Sequence, residues 1–221
     1  MTLESPPRCP RCGAPQTTRG VSVDLCPACL LSAALSMNEE PCPYQIVAPM
    51  GEDSRGVTYL AEALAGGGGY MVLKVYGPRD DAEAVLSRYR QWKPAIDRIH
   101  HPNVSGLLDV GLTADGALYS VTGYAAGWPL STWASKPPLG LDARREIVRQ
   151  LAAGLDAAHR AGVAHLGIDS TKVRVTVSTG PRAMLLDLGS GLVFDGAACD
   201  FNIDRLGLTR LGLELGVEAW L

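Results

Sequence analysis

Four cysteines in the order Cys9-x2-Cys12-x13-Cys26-x2-Cys29 are the residues whose type and spacing specify chemistry most directly. Each Cys-x2-Cys places two thiolates on one tight turn, and Pro10, Gly13 and Pro27 supply the turn residues. Two such turns facing each other complete the tetrahedral four-sulfur set of a structural Zn2+ site. The interval between the pairs holds a short hairpin through Thr17 to Val23. A segment this small cannot bury enough apolar surface to fold alone, so the metal would supply its stability. Cys42 and Cys199 stand apart and read as packing residues. Elsewhere, Lys74 is a single cation inside the apolar run Val72-Leu73-Lys74-Val75, and His165, Asp169 and Asp187 are the titratable groups of two later stretches.

These residues need elements to hold them, and composition sets the scale. With 221 residues, 47% hydrophobic and 19% charged, the chain can bury one modest core and carry a small appendage, and it is not a disordered polymer. A net charge of −3 with no run of Lys and Arg gives no footprint for nucleic acid or an anionic membrane surface. The N-terminus lacks a basic segment leading into an apolar core, and no apolar run reaches a membrane span, so the chain is read as cytoplasmic.

Residues 1–37 are expected to form the zinc ribbon and a short apolar helix, 38–43 a linker broken by Pro41 and Pro43, and 44–221 the main domain. Alternation predicts strands over 44–47, 57–63, 70–75, 107–112 and 117–122, with the glycines 66–69 as a loop tip. Helical spacing predicts helices over 81–99, over 142–161 with Asp142 as N-cap, and near 204–215.

Several motifs then occur in one order. Gly51-Glu52-Asp53-Ser54-Arg55-Gly56-Val57 is followed by Met71-Val72-Leu73-Lys74 and His101-Pro102-Asn103-Val104. The stretch 118–127, then Ala164-His165-Leu166-Gly167-Ile168-Asp169, then Leu185-Leu186-Asp187-Leu188-Gly189 complete the series. Residues 44–215 resemble a protein-kinase domain of the bacterial Ser/Thr type. The resemblance implies an α+β, two-lobe fold. Its N-lobe (about 44–124) would be a five-stranded antiparallel sheet plus one helix, and its C-lobe (about 125–221) mostly helical and truncated. It also implies ATP and Mg2+ as cofactors, held by Gly51, Gly56, Val57, Val72, Lys74, the backbone of Gly123 and Ala125, and Asp187.

The departures from that pattern bear on function. Gly167 stands at the position of the catalytic aspartate and has no side chain, so the base is lost; Asp169 is a poor surrogate because it matches a family lysine. Lys172 falls at a metal-binding asparagine, where an ammonium would repel Mg2+. Asp53 replaces the middle glycine of the phosphate loop and would repel phosphate. Trp92 or a neighbour replaces the helix glutamate, which leaves Lys74 without its usual partner. Val72 and Arg174 narrow and polarise the adenine slot. No Ala-Pro-Glu motif lies between Asp187 and Asp204, and several lower-lobe helices are absent, which exposes apolar surface for a protein partner or self-association. The reading is a pseudokinase that acts as a regulatory or interaction module with weak or no ATP binding. The alternatives are a weakly active Ser/Thr kinase and a non-functional kinase fragment.

Overall fold

In the computed structural model, the described residues are 44–64, 69–113, 116–135, 140–177 and 180–217. Cys9, Cys12, Cys26 and Cys29, and with them the zinc reading, lie outside the described residues.

Among the described residues there are eight strands: β1 (Tyr44–Asp53), β2 (Gly56–Ala63), β3 (Tyr70–Tyr76), β4 (Val104–Leu112), β5 (Leu118–Gly123), β6 (Trp128–Pro129), β7 (Val173–Val177) and β8 (Pro181–Leu188). They follow the order β1-β2-β3-β5-β4-β8-β7-β6 in one sheet. The five expected strands therefore exist, but the expected five-stranded antiparallel sheet does not end there. β4 continues into a parallel pairing with β8, through Val104 opposite Leu185 and Gly106 opposite Leu188. β8 lies between β4 and β7 in the sheet, and its Leu185 and Leu188, at the pairing with β4, are fully covered.

The helices are α1 (Ala82–Ile96), α2 (Leu130–Ala134), α3 (Leu141–Arg160), α4 (Ser190–Phe194) and α5 (Phe201–Glu214). The periodic apolar face of α3 is buried through Ile147, Leu151, Leu155 and Ala158. Its N-cap is Gly140 rather than Asp142, which sits in the first turn, where a carboxylate still complements the helix dipole. α5 starts three residues earlier than expected, because Asp200 accepts from the Asn202 amide at its N-cap. No helix among the described residues is long and apolar enough to cross a membrane.

By contacts the chain divides into two units. The first holds the described residues up to Asp80 together with Gly111–Ser120, and the second holds Asp81–Val110 and the described residues from Val121 onward. The first unit is built on the antiparallel meander β1-β2-β3, where Tyr59, Ala61 and Leu73 are buried. In the second, α3 and α5 pack with β7 and β8 around Trp133, Ile147, Leu151, Leu185 and Leu211. Each such side chain contributes about 1.5–3 kcal/mol relative to exposure.

The His-Pro-Asn-Val turn acts inside the second unit. Asn103 Nδ2 donates to the Ala183 carbonyl (2.6 Å) and to Gln150 Oε1 (3.1 Å), tying the start of β4 to β8 and α3.

Candidate functional site

In the first unit the site is built on the β1–β2 turn. Asp53 opens that turn, and its Oδ1 accepts from the amides of Arg55 (2.9 Å) and Gly56 (3.1 Å), a local bonding pattern that favours a tight bend. Its other oxygen accepts from Lys74 Nζ at 2.6 Å. The register explains the meeting: Asp53 pairs with Gly56 across the turn, and Thr58 pairs with Lys74 one strand further on. Lys74 Nζ also lies 5.6 Å from the centroid of the Tyr76 ring. The Lys74 ammonium, and after it the Arg55 amide, hold the Asp53 carboxyl below its ordinary range.

Two expectations are thereby refined. Lys74 has a partner, supplied by the phosphate-loop position rather than by the helix. Asp53 is half exposed, yet it does not stand as a lone repelling charge, because it is bonded on both oxygens.

The glycines of this loop differ. A Cβ on Gly56 would lie 2.0 Å from the Val75 carbonyl oxygen, so the close approach of β2 to β3 requires glycine there. A Cβ on Gly51 would meet nothing within 4 Å. Val57 and Val72 are half-buried on β2 and β3.

In the second unit the 163–168 loop follows α3 and is fixed from below by α5. Asp204, fully buried, accepts from the amides of His165 and Leu166, each at 2.7 Å, and lies 2.8 Å from His159 Nε2. Gly207 lets α5 come this close, since a Cβ there would be 2.8 Å from Ile168 Cβ. His165 is buried; Nε2 donates to the Leu186 carbonyl (2.6 Å), and Nδ1 accepts from the Gly167 amide (3.3 Å). Burial pushes the His165 imidazole below its ordinary pKa, so it is a neutral brace. Gly167 carries no functional group, and a Cβ there would meet nothing within 4 Å.

Asp169 is occupied as a cap. Its Oδ1 accepts from the amides of Thr171 (2.7 Å) and Lys172 (3.2 Å) and from the Thr171 hydroxyl, at the head of the 3-10 turn Ser170–Lys172. Burial raises its pKa, but these bonds together hold it below the ordinary value. A carboxylate stabilised in this way is a weak base.

Asp187, next to last in β8, has a left-handed conformation (φ 60°), as does Leu166 in the 163–168 loop (φ 67°). Non-glycine residues held there cost about 1–3 kcal/mol each and cluster at functional sites. The Asp187 carboxylate is bonded by Lys172 Nζ. Lys172 arrives there because it precedes Val173, which pairs with Leu185, two residues before Asp187.

Of the remaining expected residues, Gly123 uses its carbonyl to accept from Ser105 Oγ (3.1 Å), Ala125 is half-buried just after β5, and Arg174 lies opposite Met184 on β7–β8. The structure thus places Gly51, Gly56, Val57, Val72 and Lys74 in the first unit, and Gly123, Ala125, Gly167, Asp169 and Asp187 in the second. The two carboxylate–lysine pairs were missed by sequence reasoning, as was the support given by Asp204 and His159. An acidic residue among the apolar positions of the first turn of α5 was the available signal for Asp204.

The residues around Asp187 do not fit a divalent cation. Mg2+ needs oxygen ligands, and here an ammonium already sits on the carboxylate.

The comparisons with known proteins agree with this architecture. Over 182 residues, 80% of its length, the chain is 31% identical to the serine/threonine-protein kinase pkn3 of Myxococcus xanthus, of which it covers 32%. It is 23% identical over 179 residues to pkn2 of the same organism, covering 21% of that protein. The chain therefore spans about a third or less of these relatives. The crystal structure of the Mycobacterium tuberculosis PknI kinase domain matches with a TM-score of 0.63 at 25% identity, covering 78% of this chain and 73% of that one. No family profile matches. The chain contains a protein-kinase-like domain, and its homologues are Ser/Thr protein kinases.

Proposed function

We propose that this domain is a pseudokinase, a kinase-like module that regulates or docks a protein partner and binds ATP weakly or not at all. The observation that carries this reading is the internal pairing of both retained charges: Lys74 with Asp53, and Asp187 with Lys172. Phosphoryl transfer depends on a lysine and metal ions placed on the phosphates and on a carboxylate near the attacking hydroxyl. Here the lysine and the metal-position aspartate are each neutralised by the chain itself, and position 167 offers only hydrogen.

The same proposal includes a cytoplasmic location and a structural Zn2+ on Cys9, Cys12, Cys26 and Cys29, which rest on the sequence pattern alone. It also includes a protein partner or self-association on the second unit. The exposed apolar residues of α5 support that part: Ile203, Leu206 and Leu213 lie along one side of the helix, with Leu206 71% exposed.

A second reading, a weakly active Ser/Thr kinase, draws support from the activity named for its relatives and from the strained Asp187. The two readings separate in a phosphotransfer assay with labelled ATP, Mg2+ or Mn2+, and a basic protein acceptor. The pseudokinase reading expects incorporation equal to that of Lys74→Ala and Asp187→Ala. Turnover that both substitutions abolish would establish the kinase instead.

A further inference from the structure

We infer that the Lys172 ammonium is a tethered cation standing where a divalent metal would otherwise neutralise Asp187, so that the Leu186–Gly189 turn is held without any metal. The inference deepens the reading above and rests on it, but it concerns the nucleotide-free protein and can fail independently.

Three features of the second unit carry it. The first is delivery. Lys172 closes a 3-10 turn whose head is capped by Asp169, and the next residue, Val173, is fully buried and paired with Leu185. The backbone bearing the ammonium is therefore fixed on both sides, unlike that of a lysine on a free loop.

The second is the state of the acceptor. Asp187 is held at φ 60°, between Leu186, whose carbonyl accepts from buried His165, and Leu188, which is fully covered. A strained residue persists only where its surroundings determine it from several directions. Backbone and apolar contacts fix the chain on either side, and the carboxylate itself is fixed by Lys172.

The third is charge. Among the described residues, Lys172 is the one cation in ion-pair contact with Asp187, and both side chains are only about a third exposed (32% and 33%). A carboxylate partly shielded from water gains from a counter-charge held against it. Mg2+ or Mn2+ would supply two positive charges and demand further oxygen ligands. An ammonium supplies one and demands none beyond the acceptor it already has.

This device predicts a specific exchange. Replacing Lys172 by asparagine removes the tethered cation and puts a neutral oxygen donor beside a free carboxylate, so the turn should then recruit a metal. The test is a Mn2+ titration of the full chain, without nucleotide, followed by thermal unfolding and by the paramagnetic signal of bound Mn2+. Wild type and Lys172→Arg should show no Asp187-dependent response. Lys172→Asn should melt lower in chelator and recover with Mn2+, and the recovery should vanish when Asp187→Asn is added.

A wild-type protein that binds Mn2+ and loses that binding in Asp187→Asn would overturn the inference, because Asp187 would then be free for metal. So would a folded Lys172→Asn variant with no Mn2+ response, or one that neither folds in chelator nor is rescued by Mn2+. Phosphotransfer by wild type would sink the pseudokinase reading instead, while leaving these nucleotide-free outcomes to be scored separately.

Discussion

Two aspartate–lysine pairs close the two halves of this kinase-like domain, and they do so with opposite roles. In the first unit the lysine occupies the family position and the aspartate is the intruder; in the second the aspartate occupies the family position and the lysine intrudes. Each foreign side chain carries the sign of charge of a kinase ligand, Asp53 that of a phosphate and Lys172 that of a metal ion. Each family-position charge is thus given a counter-charge by this chain itself. The halves differ in support. Asp53 stands on an exposed turn, whereas the Asp187 turn faces a loop pinned by a fully buried carboxylate.

That difference predicts a gradient of effects. Asp204→Ala should be the most damaging, because it leaves two loop amides and His159 without their acceptor. A loss of about 3–5 kcal/mol in chemical denaturation is expected. A loss below about 1 kcal/mol would mean that the second half does not depend on this support.

Next, Gly56→Ala should cost on the order of 2 kcal/mol, since its Cβ would strike β3, while Gly51→Ala should be neutral or mildly stabilising. Equal costs would show that the first loop is held by something other than the hairpin approach.

The two halves should also separate by pH. His165 holds its proton less tightly in the native state than in the unfolded chain, so the unfolded chain binds more protons as pH falls below about 6.5. Its contribution to stability should therefore be lost with falling pH in that window and level off below the lowered native pKa. His165→Gln should flatten that part of the stability–pH curve, and an unchanged curve would place its cause elsewhere.

The smallest effect belongs to Asp53→Ala. Its side chain is half exposed (53%), and the solvent-screened ion pair with Lys74 should contribute about 0.5 kcal/mol, less at high salt. A salt-independent loss of several kcal/mol would mean that the first pair is no more solvent-screened than the second.

What the sequence made legible follows from the range of each interaction. Lys74 and Asp187 could be picked out because each is a charged residue in an apolar run followed by a readable turn or strand. The helix of residues 141–160 could be read from its apolar period. The parallel pairing of β4 with β8 could not, since nothing local in Val104–Leu112 distinguishes an antiparallel neighbour from a parallel one about eighty residues away. The two ion pairs were invisible for a related reason. The hazards of Asp53 and Lys172 to a nucleotide and a metal follow from charge alone. Their actual partners depend on strand register, Thr58 against Lys74 and Val173 against Leu185.

The central claim, that internal pairs have replaced ATP and Mg2+, is tested most directly by thermal unfolding of the full chain against rising ATP, with and without Mg2+, beside Lys74→Ala. A ligand that binds only the folded state must raise the melting temperature. The account predicts a cooperative transition that does not move at millimolar ATP under any of these conditions. A Mg2+-dependent rise that disappears in Lys74→Ala would contradict it.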